Sequence, residues 1–392
     1  MEIQVQERIG AAIQAAIDQI RKAGGGKVTL LPGTYVTGTL YLCSNLELHL
    51  MAGAVLQGYG SSDQYDDFRH PGMDNVTPEG SRKCLLACAD AENVAITGLG
   101  RIDGQGPLFY DRNVPEGQTY AKPPYPRPRM VQFFRCRNVR FEGVTFHDSP
   151  GWTFWLVQCE EVRISGIRIT GDQQMPNHDG IDIDSCRKVA ISDSFFQTGD
   201  DCLILRAIRQ NVKEDAVCEL VNVTNCVLDS RCQGIRLGCP SDGTIRHCSF
   251  QGILFRGKGS GIHCEQPYRY LRKGDNGFLN IHDVSFEDFD IQTGRYPIRF
   301  GVEGAIALRG IRGLTFRNFR IDAKLPIYLE GNPVSVLEDI ALENISGVIH
   351  GDTALHTRYV RNLQIENLRL TADQGDTPEF KREASPSWET KF

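Results

Sequence analysis

Apolar residues recur along this chain in a short template, apolar-x-apolar-x-x-apolar-x-apolar, rather than at helical spacing. Copies begin at Val139, Val162, Val189, Val221 and Cys248, and again at Val284, Leu314, Ile340 and Leu363. The first runs Val139, Phe141, Val144, Phe146, while the copy at Val189 continues with Ile191 and Phe196 but carries Ser194 off pattern. Successive starts lie 23, 27, 32, 27, 36, 30, 26 and 23 residues apart, the size of one solenoid coil with loops of variable length. Within a copy, period-two alternation predicts a short strand, the two-residue break predicts a bend, and the resumed alternation predicts a second strand. Gly143, Gly166, Asn318, Asn344 and Asn367 sit at breaks, where a left-handed backbone is tolerated. Helical repeats would need ~10 periodic residues per element, which these copies lack. The pattern predicts an all-β right-handed parallel β-helix with single coils stacked in sequence order.

Ahead of the coils, residues 9–23 alternate apolar and polar positions at helical spacing and end at Gly24-Gly25-Gly26. This reads as one amphipathic helix capping the open apolar end of the solenoid. Residues 28–56 supply further strands. The β-helix is expected to occupy residues 1–375 as one domain, with residues 376–392 as a polar tail. Residues 104–129, rich in Pro, Gly and Tyr, read as a long loop, and such loops in compact domains are often functional.

Composition narrows the function classes. With 41% hydrophobic and 23% charged residues the chain is globular, and a net charge of -6 with no basic stripe argues against a nucleic-acid partner. No apolar run reaches ~20 residues, so no membrane span is expected. Thirteen cysteines fall as singles without a C-x-x-C spacing, which reads as small buried apolar residues rather than a zinc site or a disulfide framework. Met1 to Arg8 is polar and shows no leader, so the expected location is cytoplasmic.

The candidate chemistry lies in Asn177-His178-Asp179-Gly180-Ile181-Asp182 and Gly199-Asp200-Asp201-Cys202. Acids gathered on consecutive turns repel one another and gain nothing for folding. Acids at fixed separations suit hydrolysis of a glycosidic bond, which needs one carboxylic acid and one carboxylate across the scissile bond. Asp182 and Asp184, alternating with isoleucines, read instead as strand residues hydrogen-bonded to neighbouring coils. Trp152 and Trp155 are candidates to stack on a sugar ring, although the strand pattern requires at least one of them in the core. Arg127 and Arg129 close the long loop and read either as acid-sugar contacts or as a solvated face.

These motifs, with Ala11-Ala12-Ile13-Gln14-Ala15-Ala16-Ile17-Asp18, Leu31-Pro32-Gly33-Thr34-Tyr35, Ile102-Asp103-Gly104-Gln105-Gly106 and Ser149-Pro150-Gly151-Trp152-Thr153, resemble glycoside hydrolase family 28, the polygalacturonases and rhamnogalacturonases. The resemblance implies direct inversion without a cofactor or metal, with Asp200 as general acid and Asp179 and Asp201 activating the water. Adjacent strand residues face opposite ways, so Thr198-Gly199 is expected to bend the chain and bring both Asp200 and Asp201 to the cleft. The family's Gly-His-Gly segment is matched by Cys232-Gln233-Gly234-Ile235-Arg236-Leu237-Gly238, and its Arg-Ile-Lys triplet by His263-Cys264-Glu265. By position, His178, Gln233, Arg236, His263 and Glu265 become substrate-binding candidates, with Arg236 and Glu265 also readable as an ion pair. A glutamate in place of a cation repels a uronate, so plain polygalacturonate is the less favoured substrate. The expectation is an exo-acting glycosidase on a pectin-related or other plant oligosaccharide or polysaccharide. The alternatives are a calcium-dependent polysaccharide lyase on the same fold and a non-catalytic carbohydrate-binding β-helix.

Overall fold

The computed structural model describes residues 1–69, 81–115, 119–209, 212, 216–238, 240–271, 277–372 and 379–382. The fold is the expected right-handed parallel β-helix, built from stacked coils of parallel strands. The chain divides into two compact units, Met1–Asp200 with Gln210–Val212, and Asp201–Arg209 with Lys213–Phe392.

In the first unit three parallel sheets run through successive coils. One stacks Leu46–Leu50, Glu92–Gly98, Arg137–Glu142, Glu160–Ser165 and Arg187–Ser192. The next stacks Ala54–Gly58, Arg101–Asp103, Thr145–His147, Arg168–Thr170 and Phe195–Thr198. The third stacks Leu40–Tyr41, Cys84–Ala89, Arg129–Phe134, Phe154–Val157 and Ile181–Asp184. The register explains the repeat template directly. Val139 lies beside Val162 and Val162 beside Val189, and Phe141, Ile164 and Ile191 follow two residues on, all buried. Each such side chain contributes ~1.5–3 kcal/mol by leaving water, so like residues recur at like places. Ser194 breaks the pattern without an orphaned hydroxyl, because it donates to Ser192 O at 2.7 Å and accepts from Ile167 N.

The bends are left-handed where the template breaks. Gly143 and Gly166 adopt φ of 77° and 61° in the first unit, and Asn318, Asn344 and Asn367 adopt 60°, 54° and 55° in the second. In the second unit these bends lie inside long strands, Thr244–Gly257, Asn280–Thr293, Gly310–Ala323, Leu337–Ile349 and Val360–Ala372, which pair side by side. Phenylalanines stack along the interior there, Phe250 on Phe286 at 5.0 Å and Phe286 on Phe316 at 5.1 Å between ring centroids. A second sheet in this unit stacks Leu203–Arg206, Ile235–Leu237, Ile262–Gln266, Ile298–Val302, Ile327–Glu330 and Thr353–Arg358.

The amphipathic helix forms as Gly10–Lys22 and buries Ile13, Ala16, Ile17 and Ile20. Gly24, at φ 81°, follows it where the chain turns left-handed. The described cysteines are free thiols and all are buried except Cys232, which is partly exposed; Cys159 and Cys186 stack on adjacent coils. Most of the stretch read as a polar tail lies outside the described residues; within it, Glu379–Arg382 forms a strand beside Thr353–Arg358.

Candidate functional site

The first unit holds Asp179 and Asp200 on two neighbouring turns. The Asp200 amide donates to His178 O at 3.1 Å, and the Asn177 amide donates to the Asp200 carboxylate Oδ2 at 3.2 Å. Gly199 allows this approach, since a Cβ there would meet Met175 O at 2.4 Å. Asp200 is half-buried and its carbonyl accepts from the Thr198 hydroxyl at 2.6 Å. Residues 199–202 belong to no strand, so strict alternation of side chains does not bind them. Asp179 is buried, and its carbonyl is fixed from the preceding coil by the amide of Thr153 at 2.9 Å and its hydroxyl at 2.7 Å.

Asn177 reaches its position in a left-handed conformation, φ 56°, and the long loop clamps it. Arg127, itself buried, donates to Asn177 Oδ1 at 3.0 Å, to Pro176 O at 3.1 Å and to Pro150 O at 2.8 Å. The Tyr110 hydroxyl donates to Pro176 O beside it, and burial pushes its pKa up, so it stays a donor. Arg127 thus acts as a strut beneath the Asn177 turn, neither a solvated face nor an exposed sugar contact. Arg129 is buried too, with its guanidinium 4.9 Å from both the Trp152 and Trp155 rings. Both tryptophans therefore pack inside and leave no face for stacking on a ligand.

His178 departs from its expected place. Its ring is fully buried, and its Nδ1 accepts from the Gly199 amide at 3.3 Å. Burial first, then the His147 charge, lowers its pKa to about 4, so the ring is neutral at ordinary pH. It packs on Gly171, where a Cβ would meet its Cε1 at 2.6 Å. In this structure its side chain is packed inside and tied to the turn that carries Asp200 through the Gly199 amide. Asp182 and Asp184 are fully buried on Ile181–Asp184, beside Trp155 and Val157 of the adjacent coil, and Asp184 Oδ1 accepts from the Ser185 hydroxyl at 2.8 Å. They belong to the wall of the coil.

The second unit carries Asp201 and a cationic ladder. Asp201 is fully buried; its Oδ2 accepts from Arg236 Nη1 at 2.7 Å and its Oδ1 from the Gln233 amide at 3.1 Å. Burial pushes its pKa up, but the Arg236 guanidinium outweighs burial and holds the carboxyl below its ordinary range. Gln233 spends its side-chain carbonyl on the Ser260 amide at 2.9 Å. Arg236 lies in register with His263 on the next coil, and His263 with Arg299 on the one after. Arg299 is in turn beside Tyr328, and Tyr328 stacks on His356 at 4.5 Å.

The anticipated Arg236–Glu265 ion pair does not form. Arg236 goes to Asp201, while Glu265 meets Arg299 at 3.2 Å and Arg269 at 3.5 Å. Glu265 falls to about 2, held down by hydrogen bonding with His263 and, against the effect of burial, by the charges of Arg299, His263 and Arg269. Burial lowers the pKa of His263 despite its contact with Glu265, 3.6 Å from Nε2 to Oε2. Arg299 was missed from the sequence. Its guanidinium lies 4.8 Å from the Tyr296 ring and 4.7 Å from Tyr328, and it occupies the outward position one coil beyond His263. Extending the His263 register by one coil would have found it.

Chemically, the first unit offers two carboxyl groups on neighbouring turns, Asp179 held through its main chain and Asp200 through an amide on its carboxylate, a pair suited to proton donation and water activation. The second offers a buried, ionised carboxylate and a row of guanidinium and aromatic groups suited to an anionic or ring-bearing ligand.

Residues 73–220 match the family model of Glycosyl hydrolases family 28. A probable polygalacturonase of Vitis vinifera is 30% identical over 203 residues, which is 50% of this chain and 40% of that relative. The chain thus spans less than half of that relative's length. An exopolygalacturonase from Thermotoga maritima has the same fold, with a TM-score of 0.74, 23% identity, and coverage of 94% of this chain and 91% of that one. A surface adhesin of Streptococcus pneumoniae shares the fold as well, at TM-score 0.66 and 16% identity over 94% of this chain and 90% of its own. An adhesin and a hydrolase on one fold mean that function must be read from the site.

Proposed function

Starting from a chain that is a divergent member of glycosyl hydrolases family 28, we propose that it hydrolyses a pectin-related oligosaccharide by direct inversion. Asp200 protonates the departing glycosidic oxygen, and Asp179 and Asp201 activate the attacking water. The observation that carries this reading is the pair of turns holding Asp179 and Asp200, joined by the Asp200 amide on His178 O at 3.1 Å. Asp200 is half-buried, with the Asn177 amide on one carboxylate oxygen, which fixes the carboxyl on the turn that carries it. Asp201, held ionised beside Arg236, is in the deprotonated form a base requires.

Acidic sugars regain weight as substrates. The cation lost at position 263 is supplied by Arg299 one coil on, with Arg269 beside Glu265, so two guanidinium groups accompany one carboxylate. A galacturonan- or rhamnogalacturonan-type chain presents the carboxylates such a patch would grip. Exo action is part of the proposal, with residues 104–115 and 119–129, pinned by Arg127 and Tyr110 onto the Asn177 turn, as a wall beside the acids.

The test is a panel of polygalacturonate, rhamnogalacturonan oligosaccharides and neutral plant oligosaccharides, scored by new reducing ends with Asp200→Asn in parallel. Cleavage of a pectic member by the unaltered protein and not by the variant is the expected result. No cleavage of any member, or equal cleavage by the variant, overturns it.

A further inference from the structure

On the second unit, well separated in sequence from the acids, three donors converge that neither the fold nor the proposed reaction requires. His247 lies at a bend of Thr244–Gly257, and His282 and Asp283 lie at the matching bend of Asn280–Thr293. Coil stacking brings them together, because Arg246 pairs with His282 and Cys248 with Val284 across the two strands. His282 Nδ1 is 2.8 Å from Asp283 Oδ2, and His247 Nδ1 is 3.6 Å from the same oxygen. The two imidazole rings stand at 88° to one another with centroids 5.5 Å apart. All three donor atoms lie within 4.8 Å of one another.

His247 sits in a row of bends, with Leu220 in its place one coil before. Residues in its place on successive coils adopt a left-handed backbone, and beyond Asp283 they are Gly313, Asp339 and Asn362. Those are the small or polar residues that tolerate positive φ. Asn362 donates to Asp339 Oδ1 at 2.6 Å, an ordinary side-chain rung between coils. At His247 and Asp283 the rung is an imidazole beside a carboxylate, with a second imidazole turned to the same oxygen. Gly313 keeps the approach to Asp283 open, since a Cβ there would come within 3.0 Å of Asp283 Oδ1.

We propose that His247, His282 and Asp283 form a binding site for a divalent transition-metal ion of the zinc class, with water completing a tetrahedron. Two imidazoles and a carboxylate are the donor set that suits zinc, nickel or copper over calcium or magnesium. Zn–N and Zn–O bonds of ~2.0–2.1 Å in a tetrahedron put donor atoms about 3.4 Å apart. The His247–Asp283 separation of 3.6 Å is already near that value, and the His282–Asp283 contact needs to open by a fraction of an ångström. The neighbouring guanidiniums are engaged elsewhere, Arg246 with Glu219 at 2.6 Å and Arg312 with Asn280 Oδ1 at 3.0 Å. His247 and Asp283 are well exposed and His282 is partly so, which leaves an entry path. The ion would staple two coils, a stabilising role separate from the acids.

Calorimetric titration of the full chain with Zn²⁺ at neutral pH tests this, with thermal unfolding followed with and without the ion. The expected result is one equivalent bound and a raised unfolding temperature. Binding should weaken at least about tenfold in both His247→Asn and His282→Gln, and the thermal shift should vanish. Asn suits the left-handed bend at 247, so that variant keeps the fold. His350→Gln, a surface histidine paired with Asp322, should bind like the unaltered protein. Absence of Zn²⁺ binding by the unaltered chain, or binding unchanged in both variants, overturns the proposal.

Discussion

Asp200 and Asp201 are neighbours in sequence, yet they are held in different ways. Asp200, in the first unit, is half-buried and positioned by main-chain hydrogen bonds from the Asn177 and His178 turn. Asp201, in the second, is fully buried and neutralised by a guanidinium at 2.7 Å. Backbone geometry places one acid and charge fixes the other. The first arrangement holds its carboxyl by an amide of the neighbouring turn; the second makes a carboxylate that stays ionised.

The largest expected effect falls on the first arrangement. Asp200→Asn should lower kcat on a pectic oligosaccharide by roughly 10²–10⁴-fold, the worth of a positioned general acid, with the unfolding temperature nearly unchanged. A comparable loss of stability would make Asp200 a structural residue instead.

Arg236→Gln acts on the second arrangement and should appear mainly in stability. Removing one partner of a buried pair costs about 3–5 kcal/mol, because the remaining charge is stranded. Thermal unfolding should show the loss, and Arg236→Lys should recover part of it. Unchanged unfolding would mean that Asp201 does not depend on Arg236.

Next comes Arg127→Met, which removes the strut under Asn177 without touching either acid. Displacement of a catalytic turn by about 1 Å can cost ~10²-fold, so kcat should fall while KM moves little. A rise in KM alone would place Arg127 in ligand contact. Arg299→Ala should do the opposite, raising KM for acidic substrates about tenfold, as loss of a charged hydrogen bond implies. Its kcat should hold, and any turnover of neutral substrates should be unaffected.

The smallest effect at neutral pH is electrostatic and separates the two arrangements by pH. The folded-state pKa of His178, about 4, lies below its ordinary 6.5. The unfolded chain therefore binds the extra proton first, and stability is lost as pH falls from about 6.5 towards 4. Asp201 is also depressed, but as a carboxylate its contribution is present above its ordinary value of 3.8 and is lost only as pH falls below that. Stability measured against pH should decline in those two separate windows, and His178→Asn should flatten the upper one. A single decline below pH 4 in both proteins would contradict the assignment.

Much of the fold was legible because a solenoid writes its core as a repeat. Each coil buries like residues at like positions, so Val139, Val162 and Val189 recur in sequence and stack in space. The nearness of the two turns carrying Asp179 and Asp200 was legible as motifs one coil apart. Burial was not. Arg127, Arg129, Trp152, Trp155 and His178 all lie inside, and a charged or aromatic residue near a loop reads as readily as surface. Partner choice was illegible for another reason. Loops of variable length hide which outward residues share a row, so Arg299 escaped notice and Arg236 was matched to Glu265 instead of Asp201.

The most direct test of the central claim follows hydrolysis of a pectic oligosaccharide by proton NMR from the first seconds. Direct inversion by the Asp179, Asp200 and Asp201 carboxylates predicts that the newly released sugar appears first in the anomeric configuration opposite to the bond cleaved, and that Asp200→Asn releases none. Retained configuration, or an unsaturated product, would contradict that chemistry.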